Sequence, residues 1–253
     1  MKVLITGASS GIGASLAYKF ASGGYDLVLV ARDKKKLDNV RKECLSKGDV
    51  DVSVYVTDLV SVDNCRRIYD KYRDVDILVN NAGFGLFGEV VDTDLNKELE
   101  MIDTNIRAMH ILTKLYLSDM VKRDSGQILN VASIAGFMSG PLMSTYYATK
   151  NYVVSYSEAI REELRKRKSN VKLSILCPGP VRTNFDNVAG VSFSLKGKSS
   201  DEVADYAYAK LKRGKFYIVP GFSIRCIRVL SHIVPRSILT KIVYYQQRRK
   251  KGV

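Results

Sequence analysis

The strongest constraint on this chain is an alternation of two hydrophobic patterns. Short, nearly continuous apolar runs occupy residues 3–6, 27–31, 52–56, 77–80, 128–132 and 171–177. They are rich in Val, Ile and Leu, the pattern of strands covered on both faces. Between them lie helix-length segments whose apolar residues recur three or four positions apart. Ile12, Leu16 and Phe20 mark the first, and Met101, Ile111, Leu112 and Leu115 mark a later one. This order predicts an α/β fold, an open, doubly wound parallel sheet with helices on both faces. Such a sheet takes ligands at the carboxyl ends of its strands, where the strand order reverses. No internal repeat or low-complexity linker breaks the chain, so residues 1–253 read as a single domain.

A chain of 253 residues with 46% hydrophobic content buries a full core without disulfide or metal staples. Cys44, Cys65, Cys177 and Cys226 are scattered and form no CxxC pair. They read as thiols in a reducing compartment. His110 and His232 are the only histidines, and no metal site is expected. Lys2 leads directly into the first apolar run and its glycines, without a secretory leader pattern, so the expected location is the cytoplasm. The longest uncharged stretch, 125–149, has bilayer-spanning length. Gly126, Gly136, Gly140, Pro141 and many hydroxyl residues interrupt it, and it reads as soluble structure.

The net charge of +14 is unevenly placed. Beyond Asp205 stand twelve lysines and arginines and no acidic residue, which leaves residues 1–205 with a net charge of only +2. Attraction to an anionic partner therefore belongs to the tail. No nucleic-acid-binding module accompanies the charge, so nucleic acid is not an expected partner.

Two groups of residues carry chemistry. The first is Thr6-Gly7-Ala8-Ser9-Ser10-Gly11-Ile12-Gly13, set between the first strand and the first helix. In a cofactor-binding loop of this kind, Gly7 permits the tight turn, Gly11 lets the backbone approach a phosphate, and Gly13 lets the helix pack close. Ser9, Ser10 and Ile12 complete the loop, and a pyrophosphate would rest on the helix N-terminus. The second strand ends at Ala31, followed by Arg32. An NAD site places a carboxylate there for the ribose 2′-OH, whereas a guanidinium fits a 2′-phosphate. NADP(H) is therefore expected ahead of NAD(H). Asp33, one residue on, is the alternative register, and residues 32–36 also read as a solvated helix start.

The second group is Tyr146 and Lys150, which share one face of a helix at i and i+4. A free tyrosine titrates near ~10, and a neighbouring ammonium favours its phenolate. Tyr146 then serves as general acid or base toward a carbonyl or alcohol oxygen. Tyr147 is adjacent but has Asn151 four residues on. Taken alone, such a pair is common by chance and reads first as an ordinary helix-surface contact.

With these motifs the chain resembles the short-chain dehydrogenase/reductase family over roughly residues 1–185. The resemblance implies a Rossmann-like fold and metal-free hydride transfer between the nicotinamide and a carbonyl or alcohol carbon. It implies that Ser133, thirteen residues before Tyr146, holds the substrate oxygen. It implies that Asn105 joins the lysine in a water-mediated proton relay. Asp58 and Leu59 would meet the adenine. Asn80, Asn81, Ala82 and Gly83 would border the cofactor, as would Tyr146 and Lys150. Pro178, Gly179 and Val181 would lie beside the nicotinamide, with Thr183 near its carboxamide. Family resemblance also implies a homodimer or homotetramer. The alternative reading is a non-catalytic NADP-binding sensor that uses its basic tail for interaction.

Residues from about 184 to 215 fall where the family keeps a mobile substrate lid. Within them, Ser199 to Glu202 read as a helix start, with a helix to about Arg213 and a last strand at 216–219. A helical extension follows over about 222–253. Ile224, Ile227, Leu230 and Val234 would line one face, with Arg225, Arg228 and His232 on another. Beyond Pro235, Ile238, Leu239, Ile242, Val243 and Tyr245 repeat the pattern. Two readings stand: packing on the body or on a second subunit, or lying peripherally on an anionic membrane surface. The same mixture suits a small-molecule carbonyl or alcohol substrate that is long-chain or anionic, such as an acyl thioester.

Overall fold

The computed structural model of the chain describes residues 1–183 and 197–248. Six strands form where the apolar runs predict them: β1 Lys2–Thr6, β2 Asp26–Ala31, β3 Val52–Val56, β4 Ile77–Asn80, β5 Gln127–Val131 and β6 Lys172–Leu176. Two short strands follow, β7 Val181–Arg182 and β8 Lys198–Ser199, which pair only with each other. The last strand, β9 Tyr217–Ile218, has two residues where four are expected. It lies at the sheet edge, and Pro220 has no N–H with which to extend the ladder.

The main sheet is parallel throughout, in the order β3-β2-β1-β4-β5-β6-β9. Strand order thus reverses between β1 and β4, which opens a crevice at their carboxyl ends. Successive side chains of each strand point to opposite faces. Val3 and Ile5 enter one core and Leu4 the other; Leu27 and Leu29 join the first, Val28 and Val30 the second. The first core is covered by α1 Gly11–Ser22, α2 Lys34–Leu45 and α7 Ser200–Lys212. The second is covered by α3 Val62–Lys71, α5 Met109–Lys122 and α6 Ser144–Lys166. Leu16 and Phe20 are at most 1% exposed, and each such side chain contributes roughly 1.5–3 kcal/mol on burial. Between α3 and α5 the chain forms α4, Leu95–Ile102, which runs into a π-helical turn at Asp103–Ala108.

The segment expected as a lid divides. Residues 184–196 lie outside the described residues. Residues 200–212 belong to the body instead, because Val203, Ala204, Ala207 and Leu211 of α7 are buried against α1 and the sheet.

The extension folds as α8, Phe222–Ile233, and α9, Arg236–Arg248, with Pro235 between them. Its expected apolar face meets the body only in part. Ile224 and Arg228 make the contact for α8, with Arg228 stacked 3.7 Å from the Tyr217 ring centre and 5.5 Å from that of Phe137. Ile227 and Leu230 stay exposed. A planar guanidinium covers aromatic faces well, and it takes the place the aliphatic stripe was expected to fill. In α9, Val243 and Gln247 are buried, while Ile238, Ile242 and Tyr245 face outward. All four cysteines are free; Cys226 on α8 is exposed and the other three are buried. Among the described residues no helix is long and apolar enough to cross a membrane.

Candidate active site

A cavity of about 730 Å³ runs along the carboxyl ends of the central strands. Its floor begins at the glycine loop. Gly7 has φ +63°, and a Cβ there would lie 2.8 Å from the Ala82 Cα. Only glycine tolerates both conditions without strain. A Cβ on Gly13 would lie 2.3 Å from the Gly7 carbonyl oxygen, so the first turn of α1 presses directly on the loop. Gly13 accordingly sits behind the loop, while Gly7, Ser9, Ser10, Gly11 and Ile12 line the cavity. The loop is tied to the end of β4. Asn81 Nδ2 donates to the Thr6 and Gly7 carbonyls at 3.0 and 3.1 Å, and Thr6 Oγ1 accepts from the Asn81 and Ala82 N–H groups.

The N-terminus of α1 differs from those of α2, α3, α4 and α7. Asp33, Ser61, Asp94 and Ser199 cap α2, α3, α4 and α7 through their side chains. Ser10 makes no such bond, and the first turn of α1 holds no acidic residue. Its leading N–H groups and the positive end of its dipole are left available to an anion. This cradle fits a dinucleotide pyrophosphate.

Beyond the loop, the cavity wall carries Arg32, Asp33, Lys36, Asp58 and Leu59. Arg32 approaches Asp58 at 3.7 Å with both side chains largely in solvent, a contact worth at most about 1 kcal/mol. Asp33 is engaged elsewhere. Its carboxylate accepts from the Lys36 N–H at 3.0 Å and pairs with the Lys36 ammonium at 3.4 Å. That backbone bond, with the lysine's charge, holds the carboxyl below its usual range. The alternative acidic register is therefore committed to starting α2.

At the other end, Ser133 follows β5 and caps a 3₁₀ turn, Ile134–Phe137, its Oγ accepting from the Ala135 N–H at 3.2 Å. It is also hydrogen-bonded to Tyr146, in the first turn of α6. Lys150 lies one turn further, 5% exposed, its Nζ donating to the Val131 carbonyl at 3.0 Å and 5.9 Å from the Tyr146 ring centre. Burial pushes the Tyr146 phenol up to about 12, opposed by its bond with Ser133. Burial likewise draws Lys150 down to about 8. The expected depression of the phenol by the ammonium is thus not met in this geometry, because loss of hydration dominates for both groups.

Pro178, Gly179, Pro180, Val181 and Thr183 close the remaining side. The Pro178 carbonyl accepts from the Ile134 N–H at 2.9 Å, which fixes this turn to the one after Ser133. The Thr183 methyl would lie 3.1 Å from a Cβ on Gly11, so residue 183 arches over the glycine loop. Ala82 and Gly83 line the wall as well.

Besides Gly13, two expected site residues do not line the cavity. Asn80 is 4% exposed and donates to Thr113 Oγ1 and Asn130 Oδ1, both at 2.9 Å, inside the second core. Strand alternation explains this: Asn81 faces the loop and its neighbour faces the other way. Asn105 is 2% exposed in the π-helical turn and braces the wall from behind. Its Nδ2 donates to the Phe84 carbonyl at 2.9 Å and to Thr149 Oγ1 at 3.0 Å, and its Oδ1 accepts from the Phe84 N–H. Three further residues emerge only in the fold. Tyr147 and Gln247 line the cavity. Asn151 Nδ2 donates to the carbonyls of Ala135, Met138 and Tyr147, locking the turn after Ser133 onto α6. Adjacency to Tyr146 and position four after Tyr147 are the only signals for two of these; Gln247 has none.

A parallel sheet with a glycine loop at its reversal point and a Ser/Tyr/Lys group across the crevice defines a nucleotide-binding oxidoreductase architecture. The family model for short chain dehydrogenase matches residues 1–190, and the chain belongs to the short-chain dehydrogenase/reductase family. It is 34% identical over 211 residues to human dehydrogenase/reductase SDR family member 7, a match covering 80% of this chain and 62% of that protein. The chain thus spans less than two thirds of that relative. Among solved structures it is similar to a short-chain dehydrogenase from Sphingobium yanoikuyae in complex with NADPH. There the TM-score is 0.82, at 33% identity over 87% of this chain and 88% of that one. A short chain dehydrogenase/reductase from Burkholderia phymatum in complex with NAD also gives a TM-score of 0.82, at 25% identity over 92% of each chain.

Proposed function

We propose that the whole chain is one catalytic domain that reduces a carbonyl, or oxidises the matching secondary alcohol, with NADP(H). The observation that carries this reading is the meeting of Ser133, Tyr146 and Lys150 at one end of a cavity whose other end is an uncapped helix N-terminus. When bound, the dinucleotide supplies the hydride. The chain's own residues manage position and the proton. In the reducing direction the Tyr146 hydroxyl gives its proton to the carbonyl oxygen, which becomes the alcohol oxygen. A phenol held near 12 is protonated at neutral pH, the form this direction needs. The Ser133 hydroxyl, already hydrogen-bonded to Tyr146, steadies the same oxygen as charge develops on it. Lys150 has three donors and spends one on Val131; the others serve the phenolate and the proton relay to solvent. Asn105 acts by holding Phe84 and Thr149 against this group.

NADP(H) is preferred over NAD(H) because Ala31 offers no carboxylate, Asp33 is committed to α2, and two cations in exposed ion pairs, Arg32 and Lys36, line the cavity beside them. The outer face of α8 and α9 suggests a further contact, with an anionic membrane surface. Phe222, Ile233 and Tyr245 are 76%, 72% and 63% exposed on a segment that has no acidic residue.

The test is oxidation of NADPH, compared with NADH, by purified protein given ketones, aldehydes, steroids and long-chain acyl thioesters. Turnover is expected with at least one class, faster with NADPH, and Tyr146→Phe is expected to lower it by about 10²–10⁴-fold. Cofactor binding without turnover on any class would instead favour the sensor reading, and turnover indifferent to Tyr146→Phe would remove the residue's assigned role.

A further inference from the structure

Beside Tyr146 the cavity contains a second polar pair that the proposed chemistry leaves unused. Tyr147 lines the wall with its ring centre 6.1 Å from that of Tyr146 and nearly perpendicular to it, at 80°. Its ring packs against Gly140, where a Cβ would lie 2.3 Å from it, and its carbonyl is held by Asn151 at 2.8 Å. From the far end of the chain, Gln247 of α9 reaches the same wall and donates from Nε2 to the Tyr147 hydroxyl at 2.6 Å. Gln247 is 1% exposed. Among the described residues nothing bonds its Oε1.

An unsatisfied buried amide oxygen costs about 1–3 kcal/mol, and interiors seldom keep one. An apolar side chain at 247 would fill the same space at no such cost. Gln247 itself lines the cavity, next to a tyrosine whose oxygen accepts and whose proton has no acceptor among the described residues. The pair therefore offers one acceptor, Gln247 Oε1, and one donor, the Tyr147 hydroxyl. Setting the amide the other way exchanges these roles and again leaves one of each. Both groups are neutral, since burial raises the Tyr147 phenol well above its ordinary value. A carboxylate or an ammonium would satisfy one half of the pair and leave its own charge unmatched. A hydroxyl both donates and accepts, and satisfies both halves.

We propose that Gln247 and Tyr147 form a subsite that recognises a neutral hydroxyl on the substrate, set apart from the carbonyl that meets Tyr146 and Ser133. The C-terminal extension thereby supplies a substrate-binding residue to a cleft whose other described lining residues lie within the first 183. This inference rests on the carbonyl chemistry proposed above, and it makes the substrate a hydroxyketone or, in the oxidising direction, a diol.

The experiment uses the full chain, NADPH and a series of straight-chain hydroxyketones with the hydroxyl stepped along the chain, each matched to the ketone that lacks it. The wild-type protein is expected to favour at least one hydroxyketone over its match by about tenfold in kcat/KM, the effect of one neutral hydrogen bond whose loss strands a buried group. Gln247→Leu and, separately, Tyr147→Phe are expected to bring that ratio to about one, with circular dichroism melts confirming that each is folded. A wild-type ratio of one throughout the series, or a ratio unchanged in both folded variants, overturns the subsite. If no ketone turns over, the ratio is read as affinity by calorimetry on the NADPH-bound protein. A preference lost in Gln247→Leu then upholds the subsite and sinks the carbonyl chemistry; no preference sinks the subsite.

Discussion

Lys150 carries a large electrostatic penalty at the cleft. Its folded pKa is about 8 against an ordinary 10.5, because burial strips water from the ammonium. Between these values the unfolded chain binds more protons than the folded one, so stability rises with pH across the window. The contribution is fully present above 10.5 and is lost as pH falls through about 8. Lys150→Met keeps the length and removes the charge. It is expected to be more stable than the parent at pH 7 by up to about 3 kcal/mol, at ~1.4 kcal/mol per unit, less whatever the bond to Val131 contributes. The gap should close near pH 10.5. Urea unfolding of both proteins at the two pH values checks this, and a variant less stable than the parent at pH 7 would refute it. At this scale the sequence was readable where a single element fixes the geometry. Tyr146 and Lys150 are one helical turn apart whatever the rest of the chain does. Asn80 and Asn81 were read together, although alternation along β4 must send them to opposite sides. Gln247 meets Tyr147 across 100 residues, and no local spacing encodes that contact.

Elements were legible in proportion to their length and to the sharpness of their ends. β1 to β6 each carry four to six mostly apolar residues, long enough to be seen, and all but the edge strand β3, whose Ser53 and Val56 are exposed, are covered on both faces. β7 and β8 hold two residues each and carry no period at all. The π-helical turn at Asp103–Ala108 was invisible for another reason: it shifts the hydrogen bonding without disturbing the helical hydrophobic pattern around it. The start of α7 was visible, because Ser199 and Glu202 spell a capping box. Ser199 Oγ accepts from the Glu202 N–H at 3.1 Å, and the Glu202 carboxylate accepts from the Ser199 N–H at 2.7 Å. This cap holds a helix whose Ala204 and Ala207 lie against α1, where Ser15 also donates to Ser200 at 3.0 Å. Ser199→Ala is expected to lower the unfolding free energy by about 1 kcal/mol. Chemical denaturation measures it, and a change under a few tenths of a kcal/mol would mean that α7 is held by its packing alone.

Across the whole molecule, the net positive charge and half of the exposed large apolar side chains fall on the same segment. The body of 205 residues is almost neutral, and the tail beyond it is basic throughout. An ordinary surface helix hides one stripe and shows a polar one. Here α9 buries Val243 and Gln247 and still exposes Ile238, Ile242 and Tyr245, while α8 exposes Phe222, Val229, Leu230 and Ile233. Contiguous exposure of that kind marks an interaction surface. Arg225, Arg236, Lys241 and Arg248 stand among these residues, and each basic side chain near an anionic lipid surface is worth about 1 kcal/mol. A second copy of this chain would bring the same cations together, which disfavours a self-complementary contact across this face; a phosphatidylserine surface would neutralise them. The full chain is therefore expected to sediment with vesicles of mixed phosphatidylserine and phosphatidylcholine, to remain in solution with phosphatidylcholine alone, and to release as salt screens the charges. Replacing Phe222, Ile233 and Ile242 together by Ser is expected to weaken vesicle binding at least tenfold. Absence of binding to either vesicle would end the membrane reading. If the same triple variant instead falls from an oligomer to a monomer in analytical ultracentrifugation, the face joins subunits and not lipid.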